Sequence, residues 1–121
     1  MTAILPDVYE RMKSALRRPE MGGILGADSS GTVSEFYPDT TGSTMANQYT
    51  PDCATLNRVI AQWFQRGIYF AGFVHSHPKE YTALSCADLE YARKIKAVNH
   101  MESVLMLLYI PETNRFYEYL I

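Results

Sequence analysis

One stretch of the sequence decides the fold, residues 68–78, which read IYFAGFVHSHP. The first part of this stretch, residues 68–74, is apolar almost throughout, which is typical of a central strand buried on both faces of a sheet. Polar residues follow without a break, because His75, Ser76 and His77 come directly after the apolar run. We therefore expect a buried strand that carries polar side chains at one end of the sheet.

The residues on either side of this strand predict helices that cover the sheet. Residues 51–67 follow a 3.6-residue apolar period, open with a Pro-Asp pair and stop at a glycine, which predicts a helix. We expect Trp63 and Phe64 of this helix to pack in the core. Residues 85–98 resemble another helix, and the order strand, helix, strand over residues 68–110 favours a sheet with helices packed against it.

The first part of the chain predicts a helix followed by a β-hairpin. The helix covers residues 6–18, because a proline opens its first turn and Pro19 ends it. Residues 21–26 and 32–37 flank a turn of Asp, Ser and Gly, which predicts the two strands of a hairpin. Residues 38–50 are mostly polar, so we expect a surface loop that is long enough to take part in binding.

The end of the chain predicts two more strands, at residues 103–110 and 115–120, joined by a short turn. Together the elements predict an α/β or α+β fold built in layers, with a sheet flanked by helices. A chain of 121 residues fits one domain of ordinary size, so we assign residues 1–121 to a single domain.

The composition argues against several classes of protein. The chain has 11 basic and 13 acidic residues, so it offers no broad basic face for nucleic acid. No apolar stretch approaches the roughly 20 residues that span a bilayer, and the N-terminus lacks the order of a signal peptide. We therefore expect a cytoplasmic protein that binds neither nucleic acid nor membrane. Cys53 and Cys86 form no CxxC pair or disulfide framework, so we expect reduced thiols.

His75 and His77 are the first candidates for chemistry. On a strand, residues two positions apart place their side chains on the same face, about 7 Å apart along the chain, so both imidazoles can reach one metal ion. The pair alone is a weak signal, because polar residues also occur in this pattern where a strand leaves the core. A third ligand is needed to separate the two interpretations.

Asp88 offers that third ligand. It lies eleven positions after His77, in the first turn of the predicted helix, where a strand-loop-helix connection can return it to the end of the strand. Two histidines and one carboxylate, with the fourth position left to water, form the arrangement of catalytic zinc, whereas structural zinc sites use four protein ligands. In the alternative interpretation, Ser85 is the helix N-cap and Asp88 is an acid that favours the helix dipole.

Glu20 is the candidate general base. Hydrolysis at zinc needs a base that is not itself a ligand, and Glu20 is the best-placed carboxylate if the strand after it borders the strand of His75. Gly22 and Gly23 support this placement, because glycines inside a strand often mark the close approach of another backbone or of a ligand. Taken alone, a glutamate at this position is more often an ordinary surface charge than a base.

These residues together resemble the JAMM motif of the MPN-plus zinc metallopeptidases, which has a glutamate, then H-S/T-H-P, then S-x-x-D. Ten residues separate His77 from Asp88, as in that motif, and the order of helix, glycine-rich strand, helix and apolar strand agrees along nearly the whole chain. The chain is similar to compact prokaryotic members, because it lacks long insertions. The residues that carry the resemblance are Glu20, His75, Ser76, His77, Pro78, Ser85 and Asp88.

The resemblance implies a fold, a metal and a role for each residue. The fold is the cytidine-deaminase-like layered α/β fold, with a mixed central β-sheet flanked by helices. The metal is zinc, held by His75, His77 and Asp88. Glu20 acts as general base for a metal-activated water that hydrolyses an amide bond, and Ser85 donates a hydrogen bond to the oxyanion.

The resemblance also implies a substrate, the C-terminal tail of a ubiquitin-like or sulfur-carrier-like protein, cleaved as a peptide or isopeptide. An extended Gly-Gly tail can add to a sheet edge and pass a metal where larger side chains clash. Two alternatives stay open: a noncatalytic MPN-like interaction module, and a zinc amidohydrolase that acts on small peptides. Base deamination is disfavoured because the PCxxC ligands of that chemistry are missing. No oligomeric state is predicted.

Overall fold

The structure is a computed structural model that describes residues 2–40, 42 and 51–121. Most of the polar loop expected at residues 38–50 lies outside these ranges, so its part in binding stays a prediction. The predicted helices and strands are confirmed, with boundaries that differ by a few residues. None of the helices in the described ranges is both long and apolar enough to cross a membrane. The elements are α1 (Pro6–Ala15), β1 (Gly22–Ala27), β2 (Val33–Pro38), α2 (Cys53–Gln65), β3 (Tyr69–Ser76), α3 (Cys86–Val98), β4 (Leu105–Ile110) and β5 (Arg115–Leu120).

The strands form one mixed sheet in the order β2-β1-β3-β4-β5. The hairpin of β1 and β2 is antiparallel, as predicted, and β1 is also antiparallel to β3. Strands β3 and β4 are parallel, so the chain must cross over between them, and α3 makes that crossover. The apolar strand that decides the fold is therefore the central strand, with two strands on either side.

The helices divide between the two faces of the sheet. On one face α1 buries Val8 and Met12 against side chains of the sheet such as Leu25, Val74 and Leu107. On the other face α2 and α3 pack on a second cluster, whose buried members are Ile24, Leu56, Trp63, Phe73, Ala92, Val104 and Met106. The expected sheet flanked by helices is confirmed, and the core consists of two apolar layers.

Helix α2 corrects one expectation about the core. Trp63 is buried, with 5% of its surface exposed, but Phe64 is 66% exposed, so the expectation that Phe64 packs in the core is wrong. Successive residues of a helix point about 100° apart, and the stripe of α2 that faces the sheet is too narrow for both rings. Phe64 packs edge-on against Tyr69 at the surface instead, with 5.8 Å between the ring centroids. Gly26 makes room for Trp63, because a Cβ at Gly26 would lie 2.9 Å from the indole ring.

The glycine-rich strand β1 has a structural explanation. A Cβ at Gly23 would lie 2.7 Å from the ring of Phe36 and would collide with the carbonyl oxygen of Tyr37. Both neighbours belong to β2, so a close approach of backbone at Gly23 is confirmed, and the approaching backbone is that of the hairpin.

Cys53 and Cys86 are both exposed and form no disulfide, as expected of reduced thiols. The apolar layers described above hold the fold together without a cystine staple, in keeping with the size of the chain.

Candidate metal centre

His75 and His77 stand together at the carboxyl end of β3. His75 is the second-last residue of the strand, and His77 follows the strand directly. The backbone N–H of His77 donates to the carbonyl oxygen of Tyr109 at 3.0 Å, so it continues the hydrogen bonding with β4. Side chains two positions apart share one face, and the two imidazole centroids are 4.5 Å apart.

Helix α3 brings Asp88 to the same point. Its N-cap is Ser85, whose Oγ accepts from the Asp88 N–H at 3.1 Å, while the Asp88 carboxylate accepts from the Ser85 N–H at 2.9 Å. This reciprocal pair is a capping box, which satisfies two backbone donors that the helix start leaves without partners. The capping interpretation of Ser85 and Asp88 is therefore confirmed, and it fixes the carboxylate beside the two imidazoles.

The structure brings the three predicted ligands into one group. Asp88 Oδ2 lies 3.5 Å from His75 Nε2 and 3.7 Å from His77 Nε2. One ligand atom from each residue falls within 4.8 Å of the others, so the group could hold a metal ion. Two ligands of a tetrahedral zinc at 2.0–2.1 Å are about 3.3 Å apart, close to both distances between side chains in this group.

The surroundings of His75 fit a metal ligand. The residue is only 8% exposed, and its Nε2 has no hydrogen-bond partner among the described residues. Burial lowers the pKa of His75 to about 4, Asp88 opposes that shift, and His77 adds to it. The imidazole is therefore neutral near pH 7, and its buried lone pair is available to a cation.

His77 is held from its other side. Its Nδ1 lies 3.2 Å from the carbonyl oxygen of Tyr81. A carbonyl oxygen can only accept a hydrogen bond, so Nδ1 carries the hydrogen and the Nε2 lone pair faces Asp88 and the candidate metal position. Thr82, the next residue of the loop, is also held in place, because the Tyr119 hydroxyl donates to its carbonyl oxygen at 2.6 Å. The sequence does not predict the contacts of Tyr81 and Tyr119. Tyr81 contributes a backbone carbonyl, which any residue has, and Tyr119 lies 37 positions from Thr82, so neither contact leaves a motif.

Glu20 lies at the same end of the sheet. Its backbone N–H donates to the carbonyl oxygen of Ser76 at 2.8 Å, and Gly22 is paired with His75. The strand after Glu20 therefore borders the strand of His75, which is the condition on which its candidacy depended. Glu20 has a φ of 64°, in the left-handed region that favours glycine. Its role as the base stays a prediction.

The hydroxyl of Ser85 has an observed contact that must be compatible with its predicted role. Its oxygen accepts from the Asp88 N–H and so caps α3. A serine hydroxyl also has one proton to donate, and the side chain is exposed beside Asp88. Capping therefore leaves the donor of Ser85 available, and its role at an oxyanion stays a prediction.

Comparisons with known proteins place the fold. No protein-family profile matches the chain, and no curated protein sequence does. The solution structure of protein DSY2949 from Desulfitobacterium hafniense is similar to the whole chain, with a TM-score of 0.75 and 21% identity over 84% of that protein. The crystal structure of AF2198, a JAB1/MPN domain protein from Archaeoglobus fulgidus, matches 98% of this chain and 88% of its own, with a TM-score of 0.54 and 19% identity.

At this level of identity the two similarities concern the fold alone. The chain therefore has an MPN-like fold, with a mixed five-stranded sheet flanked by helices. At the carboxyl end of the central strand this fold carries a group of His75, His77 and Asp88 that could bind a metal ion.

Proposed function

We propose that this protein is a zinc-dependent peptidase or isopeptidase of the JAMM type, with the layering of a cytidine-deaminase-like fold. The observation that supports it most directly is the convergence of His75, His77 and Asp88, in which a buried His75 nitrogen has no hydrogen-bond partner among the residues that the structure describes. Two imidazoles and one carboxylate match the ligand set of catalytic zinc, in which water takes the remaining position.

Each residue of the site has a distinct part in the proposed reaction. Bound zinc supplies a Lewis acid that polarises a carbonyl oxygen and lowers the pKa of water. Glu20 takes the proton of the attacking water and gives it to the leaving amine nitrogen. The Ser85 hydroxyl donates to the carbonyl oxygen as negative charge develops on it, while its oxygen stays bonded to the Asp88 N–H.

The proposed substrate is the C-terminal tail of a ubiquitin-like or sulfur-carrier-like protein. The JAMM resemblance supports this choice, because family members cleave after the Gly-Gly tail of such proteins. An extended tail without side chains can pass close to a metal at a sheet end, and its backbone can bond to neighbouring strands.

The first test measures metal content on protein purified without chelator and without a metal-affinity tag. We expect about one zinc per chain in the wild type and loss of that zinc in His77→Ala, because the variant removes one of three ligands. His100→Ala is the matched control, since His100 is an exposed histidine outside the group. A wild type that takes up no zinc on reconstitution contradicts the proposal and leaves the noncatalytic interaction module.

The second test separates the base from the ligands. Glu20→Gln keeps the size of the side chain and removes its ability to take a proton, so we expect bound zinc and no turnover of a Gly-Gly-tailed fusion protein. Normal turnover in this variant would remove Glu20 from its role. Cleavage of small peptides in preference to the tailed protein would favour the amidohydrolase alternative.

A further inference from the structure

We infer that Ser76, the residue between the two histidines, is a positioning residue that fixes the turn carrying Glu20 against the metal-binding end of β3. The inference rests on the proposed function, because it concerns the base of that reaction. Side chains alternate along a strand, so Ser76 points to the sheet face opposite His75 and His77. It therefore has no place among the ligands, and its position between the two histidines needs another explanation.

The contacts of Ser76 enclose Glu20 on both sides. Its hydroxyl donates to the carbonyl oxygen of Arg18 at 2.6 Å and accepts from the N–H of Met21 at 3.0 Å. Its own backbone N–H donates to the carbonyl oxygen of Met21, and its carbonyl oxygen accepts from the N–H of Glu20, both at 2.8 Å. One residue of β3 thus bonds to the chain on both sides of the candidate base, at Arg18 and Met21, and to the backbone of the base itself.

The turn needs such contacts because of its backbone. Glu20 adopts a positive φ of 64°, which a residue with a side chain keeps only when its surroundings determine it. Hydrogen bonds to Arg18 and Met21 flank that residue. They hold the left-handed turn beside the candidate ligands, because Ser76 belongs to the same strand as His75.

The hydroxyl is suited to this task because it is both donor and acceptor. Ser76 is completely buried, so its hydroxyl is shielded from solvent and makes its hydrogen bonds to the protein. In Ser76→Ala the Arg18 carbonyl and the Met21 N–H each lose a partner, while the backbone bonds of residue 76 remain. The expected result is a looser turn on an intact strand.

The experiment compares Ser76→Ala with Ser34→Ala and Ser76→Thr. Ser34 is the matched control, because its hydroxyl is also buried but has no hydrogen-bond partner among the described residues. Ser76→Thr keeps the hydroxyl. Three quantities are measured in the full chain: zinc content, hydrogen exchange of the Glu20 and Met21 amides, and kcat with KM on a Gly-Gly-tailed fusion.

For Ser76→Ala we expect unchanged zinc content, exchange of the Met21 amide faster by roughly tenfold, and kcat lower by about tenfold to a hundredfold with KM unchanged. Ser76→Thr recovers most of the exchange protection and kcat, and Ser34→Ala equals the wild type. A purely structural role would instead speed exchange throughout the core and alter zinc content, which overturns the inference.

The outcomes also separate this inference from the proposed function. An active wild type with the same kcat and exchange in Ser76→Ala overturns the inference and leaves the proposed function intact. A zinc-loaded wild type without turnover defeats the proposed function, and the exchange of the Met21 amide still decides whether Ser76 holds the turn. If Ser76→Ala does not fold, Ser76→Cys, which has a weaker donor and acceptor, replaces it in the same comparison.

Discussion

The two ends of β3 differ in what they bury. At the amino end Tyr69 is 51% exposed and packs on the exposed ring of Phe64. At the carboxyl end His75 is 8% exposed and Ser76 is completely buried. The apolar end of the strand is thus open to solvent, and the polar end is enclosed.

This difference shows where the fold keeps polar groups buried, at a cost in the free energy of folding. A buried polar group destabilises the protein unless hydrogen bonds or a cation compensate it, whereas a few exposed aromatic rings cost little. At the enclosed end, Ser76 has its bonds and His75 Nε2 has none from the described residues. The carboxyl end therefore has the properties of a binding site, and substitutions there should change function, while those at the amino end should change only stability.

The largest effect is expected at Asp88, which is both a candidate ligand and half of a capping box. We expect Asp88→Ala to lose zinc and turnover and to lower the free energy of unfolding by about 1 kcal/mol. Asp88→Asn keeps one acceptor oxygen for the Ser85 N–H and should lose zinc with less loss of stability. Metal analysis and urea denaturation measure the two effects.

Asp52 is the control for that pair, because it is the N-cap of α2 and its carboxylate accepts from the N–H of Thr55. We expect Asp52→Ala to lower stability and to leave zinc at one per chain. Equal zinc loss in Asp52→Ala and Asp88→Ala would mean that the loss of a helix cap, and not the loss of a ligand, explains the loss of zinc.

The next effect separates the helix cap at Ser85 from the proposed role of Ser85 at the oxyanion. Glycine is nearly as good an N-cap as serine but has no hydroxyl, so Ser85→Gly should change stability by only a few tenths of a kcal/mol. Turnover should fall by about a hundredfold to a thousandfold, the usual effect of losing one donor to an oxyanion. Steady-state kinetics beside a thermal melt would show it, and full activity would reduce Ser85 to a cap.

A smaller effect is expected at Tyr119, whose hydroxyl bonds to the Thr82 carbonyl in the loop between the ligands. Tyr119→Phe should lower the free energy of unfolding by about 1 kcal/mol, the usual net value of one hydrogen bond. Tyr117→Phe on the same strand is the control, and denaturation curves of the two should differ. Identical curves would mean that the bond contributes nothing.

The smallest effect is expected at the open end of β3. Phe64→Ala removes an exposed ring and one edge-on aromatic contact, so we expect a loss of at most about 1 kcal/mol and unchanged zinc. Its neighbour gives the contrast, because Trp63→Ala empties a buried site and should cost about 3–5 kcal/mol. A loss of zinc in Phe64→Ala would break the distinction between the two ends.

Much of the fold and the ligand group could be predicted from local patterns. The apolar run before His75 predicts the central strand, and the spacing of His75, His77 and Asp88 predicts a group that the structure brings together. Helix starts were predictable as well, because Pro6 and Ser85 act through residues within one turn of them. These features depend on neighbours in the sequence.

The rest could not be predicted because it depends on distant residues. The partners of the Ser76 hydroxyl lie 55 and 58 positions upstream. The left-handed turn at Glu20 contains no glycine at that position, so the sequence does not indicate it. Phe64 is exposed and not in the core, which the sequence does not indicate because a 3.6-residue period does not say how wide a stripe of the helix the sheet covers.

The backbone of Glu20 has a consequence for attempts to engineer this protein. A left-handed conformation costs a residue with a side chain about 1–2 kcal/mol, and glycine avoids that cost. A laboratory selection for heat resistance alone would therefore favour Glu20→Gly and discard the carboxylate. If Glu20 is the proposed base, a library screened at each round for both melting temperature and turnover would retain the glutamate, because stability and activity then make opposite demands on this position.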